Sequence, residues 1–118
     1  NTFKKLLTDN GKLFIAVPNY TSYDAEKYKE YWAAYDVPRH LYHFTPHTMQ
    51  WLMKECGLQI VAVRPMWFDS FYVSMLSEKY RHESGNLIGA VWNVLLSNIK
   101  TIFNKESSSS VIYIFIKK

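Results

Sequence analysis

The chain alternates between helical and extended hydrophobic periods. Thr2–Thr8 places Phe3, Leu6 and Leu7 on one helical face, and Asp9-Asn10-Gly11 stops it in a turn. Lys12–Val17 is apolar nearly throughout, the pattern of a strand buried on both faces. Pro18-Asn19 ends that strand, because proline has no N–H for a ladder. Asp24–Tyr35 has helical composition, with Tyr28, Tyr31, Trp32 and Tyr35 at helical spacing. That aromatic face either packs on the domain or forms a wall towards a substrate. Thr45 suits an N-cap, Pro46 the first helical position and Gly57 a left-handed C-cap. Met49, Leu52, Met53 and Cys56 share one face between them, so Pro46–Cys56 is the most secure helix. Leu58–Arg64 alternates as a strand does. A strand, a helix and a second strand imply a right-handed crossover, with the two strands parallel.

Further on, Ser70–Arg81 reads as a helix with Phe71, Met75 and Leu76 on one face, interrupted at Ser84-Gly85. Asn86–Phe103 reads as a longer helix. Ile88, Val91, Trp92, Leu95, Ile99, Ile102 and Phe103 form its apolar stripe, and Lys100 is its one charge. This stripe fits three roles: core over the sheet, a lid over a substrate, or an element on a membrane surface. The serine run Ser107–Ser110 reads as a flexible connection. Val111–Ile116 is a final buried strand.

At 118 residues the chain makes one domain at most. The net charge of +4 is spread over dispersed lysines and arginines, so nucleic acid is not demanded as a partner. The lone Cys56 lies on an apolar helical face, which makes it a core residue and fits a reducing compartment. A cytoplasmic location is therefore expected. No apolar run approaches the roughly 20 residues of a membrane-spanning helix. The chain begins at Asn1, without a methionine, and reads as a piece of something longer.

The chemistry concentrates in Asp36-Val37-Pro38-Arg39-His40-Leu41-Tyr42-His43-Phe44-Thr45-Pro46, between a strand and a helix, where open α/β sheets place ligand sites. His40, His43 and His47 have a spacing that zinc could use, but Pro46 prevents one helix from presenting them together. No carboxylate or thiol stands at metal spacing beside them, so no metal is expected. Imidazole titrates near neutral pH, which makes His40 a general base or an orienting group; its alternative is a hydrogen-bonded histidine holding the loop. Arg39 offers a bidentate fork for a carboxylate or phosphate, or a salt bridge to Asp36. Tyr42 is a substrate contact or a buried tyrosine.

Gly11-Lys12-Leu13-Phe14-Ile15-Ala16-Val17-Pro18-Asn19 resembles the fifth strand of class I S-adenosylmethionine-dependent methyltransferases, which commonly ends in a Val-Pro-Asn turn. Asp36–Pro46, with Gly57-Leu58 after the helix, resembles the segment that follows in one bacterial branch acting on small molecules or in glycan pathways. The resemblance covers Phe3–Arg64 and leaves 66–110 as a helical insertion. It implies an α/β fold: a partial Rossmann-like, three-stranded mixed sheet with flanking helices. The first two strands would be parallel, and the last antiparallel between them. It also implies S-adenosylmethionine as cofactor of the intact enzyme. The glycine-rich turn that binds it is not among Gly11, Gly57, Gly85 and Gly89. Residues 1–118 are thus expected to be the carboxyl-terminal, acceptor-side half of the domain. That half should be inactive alone and without cofactor-binding residues.

The expected site comprises His40 as the catalytic candidate and Asn19, Arg39, Tyr42 and His43 as substrate contacts. Expected partners are a small-molecule, glycan or lipid-linked acceptor, the missing amino-terminal half and a second copy in a homodimer. Peripheral membrane contact through 86–103 is a further expectation. The alternative function is a non-catalytic binding module whose aromatic-basic surface, Tyr28–Tyr42, recruits a partner.

Overall fold

A computed structural model describes residues 2–81 and 87–118. The expected interruption at Ser84-Gly85 and the helix start at Asn86 lie outside them. Helix α1 spans Thr2–Leu6, strand β1 Leu13–Pro18, helix α2 Tyr23–Tyr28, helix α3 Pro46–Glu55 and strand β2 Leu58–Pro65. Helices α4 (Asp69–Arg81) and α5 (Leu87–Phe103) precede strand β3 (Ser110–Lys117). Single 3-10 turns cover Lys29–Tyr31, Ala33–Tyr35 and Lys105–Ser107.

Local chemistry sets these limits. The Thr45 hydroxyl accepts from the Thr48 amide at 3.0 Å, and the Thr48 hydroxyl accepts from the Thr45 amide at 2.9 Å. This reciprocal capping box opens α3. Gly57 follows the helix with φ 71°, a conformation that costs side-chain-bearing residues and not glycine. The expected single helix over Asp24–Tyr35 is corrected. The chain leaves α2 at Lys29, with φ 51°, and continues as two 3-10 turns. The break lets Tyr28 and Trp32 both be buried, while the Ala33 amide reaches the Ser77 hydroxyl of α4 at 2.9 Å.

The sheet has the order β1-β3-β2. The last strand lies between the first two and is antiparallel to both, as expected. β1 and β2 run in the same direction but share no ladder, so the expected mixed sheet is corrected to one whose ladders are all antiparallel. β1 and β2 exchange no hydrogen bonds, because β3 enters after α5 and takes the position between them. Register aligns Leu13–Phe115–Ile60, Ile15–Tyr113–Val63 and Val17–Val111–Pro65 across the strands. A bulge between Ile60 and Ala62 shifts β2 by one residue, which turns Val63 to the same side as Ile60. On this face Met49, Met53, Leu58, Val111, Tyr113 and Phe115 form the core. Phe14 and Ala16, on the other face of β1, are exposed. β1 is therefore covered on one face and not on both, contrary to its apolar run.

A second cluster of Ala25, Tyr28, Trp32, Ala34 and Val73 joins α2 and the turns to α4. The serine run is likewise no linker: Ser108, Ser109 and Ser110 are buried. Ser109 donates to Asp24 and Ser110 to Asp69, fixing the start of β3 against α2 and α4.

Candidate functional site

A cleft of ≈ 380 Å³ opens where the carboxyl end of β1, the segment Ala33–His40 and helix α4 meet. Pro18 forms its floor, with Ala33, Ala34, Asp36, Arg39 and His40 on one wall and Asp69, Tyr72, Val73, Leu76 and Tyr80 on the other. Ser77 builds the junction: its hydroxyl donates to Val73 O at 2.7 Å and accepts from the Ala33 amide. Asp36 sits in the left-handed region, with φ 45° and ψ 45°. Its carbonyl accepts from the amides of Arg39 at 2.8 Å and His40 at 3.1 Å, so the chain folds back over the cleft.

Of the expected site residues, Arg39 and His40 line this cleft. Arg39 is exposed and pairs through Nη2 with Asp36 Oδ1 at 2.7 Å. His40 is exposed, with Nδ1 3.3 Å from Ala34 O. With Nδ1–H donated to that carbonyl, Nε2 keeps the lone pair, which is the form a general base needs. His43 is half-buried, with Nε2 3.2 Å from Tyr35 O and its ring edge-on to Tyr35 at 5.1 Å. It anchors the loop from behind. Tyr42 is 80 % exposed and does not line the cleft.

Asn19 is buried, and its side chain is fully engaged. Nδ2 donates to Glu106 O at 2.6 Å and Ser108 O at 3.2 Å. Oδ1 accepts from the Thr21 amide at 3.2 Å and the Thr21 hydroxyl at 2.7 Å. Both donors and both acceptor sites are used, so Asn19 clamps the chain entering β3 to the end of β1.

Sequence reasoning missed Asp69, Tyr72 and Tyr80. The signal was available: Asp69, Tyr72, Val73, Leu76 and Tyr80 share one helical face. Behind them lies a buried polar cluster. Burial raises the Asp24 pKa above its ordinary value, while hydrogen bonds from Ser109 and Ser97 and the Lys27 charge pull it down. Burial, then the hydrogen bond to Glu78 at 3.0 Å, pushes the Tyr28 phenol up. Among the described residues, no three His, Cys, Asp or Glu side chains are arranged to hold a metal ion.

The aromatic surface of the binding-module alternative is mostly interior. Tyr28 and Trp32 are buried and Tyr35 half-buried, which leaves Tyr31 and Tyr42 outside.

No curated protein and no solved structure matches the chain. A family model described as a methyltransferase domain matches residues 1–63, which include β1, the Arg39–His40 wall of the cleft, α3 and most of β2. A match over 63 of 118 residues places the chain in that methyltransferase domain family.

Proposed function

We propose that this chain supplies the acceptor side of an S-adenosylmethionine-dependent methyltransferase, with the cleft beside β1 holding the methyl acceptor. The observation that carries the reading is the joining of Arg39 and His40 to the Tyr72–Tyr80 face of α4, at the carboxyl end of a strand in a methyltransferase-family chain. His40 is the group for taking a proton from an acceptor hydroxyl or amine. Asp36, Asp69 and Arg39 offer polar contacts, and Tyr72 and Tyr80 offer flat apolar ones. That combination suits a small polar molecule or a sugar, free or lipid-linked.

For S-adenosylmethionine, typical of the family, the described residues offer two glycines in loops, Gly11 and Gly57. Gly11 and Gly57 precede strands instead of following them. A Cβ on Gly11 would meet Thr8 Oγ1 at 2.9 Å, and one on Gly57 would meet Lys4 Nζ, so neither leaves a cradle for a ligand. We therefore assign cofactor binding to protein outside these residues. The uncovered face of β1, with Phe14 62 % exposed, supports the reading of an acceptor-side half.

Two measurements test this. Calorimetric titration of the chain with S-adenosylmethionine should show no binding; micromolar affinity would overturn the division of labour. In the intact enzyme, His40→Ala should lower turnover about 10²- to 10⁴-fold with cofactor affinity unchanged. An unchanged rate removes His40 from the chemistry.

A further inference from the structure

We infer that the packed pair α4–α5 lies on an anionic lipid bilayer, with the outer apolar face of α5 in the acyl boundary and its axis along the membrane plane. The inference stands independently of the role given to the cleft.

The pair is inverted relative to helices packed in water. The buried positions of α5 are Ala90, Asn93, Ser97 and Thr101, a small and polar stripe at helical spacing. Two of its polar members bond across to α2: Ser97 donates to Asp24 and Asn93 accepts from Lys27, while Thr101 donates back to Ser97 O within α5. The inward face of α4 is similar, with Ser70, Ser74, Ser77 and Glu78 around Val73. The large side chains face out: Ile88 is 84 % exposed, Trp92 63 %, Ile102 67 % and Phe103 86 %. An amphipathic helix in water buries its apolar stripe, and a monomer seldom exposes a contiguous patch of this kind. Here the apolar stripe is left for another phase.

Charge identifies that phase. α5 carries no acid, and both acids of α4, Asp69 and Glu78, are held inward by Ser110 and Tyr28. The exposed charges on the two helices are Lys79, Arg81 and Lys100. Lys100 Nζ lies 3.9 Å above the Tyr23 ring at the flank of the stripe. Apolar side chains with Trp and Tyr, flanked by cations and without an exposed acid among the described residues of the two helices, match an anionic headgroup layer over acyl chains. A second copy packed through the same two helices would set like cations against each other, with no exposed acid among their described residues to answer them. Length sets the orientation: the 17 residues of α5 make about 26 Å of helix, short of the roughly 30 Å hydrocarbon core. Among the described residues no helix is long and apolar enough to cross a membrane.

The test is flotation of the chain with vesicles of phosphatidylcholine alone and of equal parts phosphatidylcholine and phosphatidylglycerol. The chain should float with the mixed vesicles, and more weakly with the neutral ones. Lys100→Gln and Lys79→Gln should each weaken anionic binding about fivefold and leave neutral binding unchanged. Leu95→Gln with Ile99→Gln, both at exposed positions, should weaken binding to both at least tenfold, with the circular dichroism spectrum intact. Lipids brominated on the acyl chain should quench tryptophan emission in wild type and in Trp51→Phe, and much less in Trp92→Phe. Failure to float on either vesicle overturns the inference. A dimer in sedimentation that Leu95→Gln with Ile99→Gln dissociates also overturns it, by giving the face to a second copy.

Discussion

Ser109 donates its hydroxyl hydrogen to the carboxylate of Asp24, 85 positions earlier in the chain. Ser97 of α5 donates to the same oxygen at 3.2 Å. The other oxygen, Oδ1, is buried with no partner among the described residues. One buried carboxyl thus ties α2, α5 and the start of β3 together.

That carboxyl makes stability depend on pH. Burial raises the folded pKa above the ordinary carboxylate value. Between the unfolded and folded values the native state binds more protons, so its stability is highest below the unfolded value and declines as pH rises through this window. Asp24→Asn keeps an acceptor for the serines and removes the titration. Its stability relative to wild type should grow as pH rises from below about 4 to neutrality, measured by denaturant unfolding at several pH values. Parallel pH curves for the two proteins would remove Asp24 as the source.

Asn19 gives a larger expected effect. Asn19→Ala leaves two backbone carbonyls, Glu106 O and Ser108 O, without their donor, and frees Thr21 from its acceptor. Each buried unsatisfied group costs about 1–3 kcal/mol, so a loss of roughly 2–4 kcal/mol is expected in chemical unfolding. Asn19→Asp should be no better, because it sets a carboxylate against the same carbonyls. A neutral Asn19→Ala would return this residue to the substrate contacts.

These two residues mark what the sequence could reveal. Local signals were readable: the Thr45 cap, Pro46, the α3 face and Gly57 act within a few positions of one another. The bonds of Asn19 and the serines were not readable, because their partners lie more than 40 positions away. A serine run has the composition of a linker, and only the fold shows that its hydroxyls are used. The apolar run of β1 suggested two buried faces, yet alternation in burial came from what packs on the sheet. A strand, a helix and a second strand do leave β1 and β2 running in the same direction, but β3 enters between them, so the ladders that form are antiparallel. At the site, Arg39 and His40 were legible as chemistry in a loop, whereas Asp69, Tyr72 and Tyr80 entered only once α4 was placed opposite.

Arg39 separates stability from recognition. Its pair with Asp36 has the Arg39 side chain 82 % exposed, and solvent screens such pairs. Arg39→Ala should therefore change unfolding free energy by less than about 1 kcal/mol. In the intact enzyme it should raise KM for the acceptor several-fold, and Arg39→Lys should restore little, since an ammonium cannot reproduce the guanidinium fork. Unchanged KM with unchanged stability would make the ion pair incidental.

The last expectation concerns the open side of β1. Its one ladder is to β3, and on the other side the described residues supply only a single parallel bridge beyond its end, Asn19 with Phe44. An apolar strand with unpaired N–H and C=O groups is a template for another strand. On the acceptor-side reading, a strand from outside these residues would take that place; in this chain alone, a second copy is the available occupant. A two-fold arrangement would close both edges at once. We expect the chain to sediment as a dimer at micromolar concentration. Phe14→Lys, a cation at an exposed edge position, should shift it to monomer by at least tenfold in dissociation constant without loss of secondary structure. Leu95→Gln with Ile99→Gln should leave that equilibrium unchanged, because those side chains belong to α5 and not to the edge. A monomer in wild type would show that the edge is protected without a partner strand, and would withdraw this physical support for an acceptor-side half.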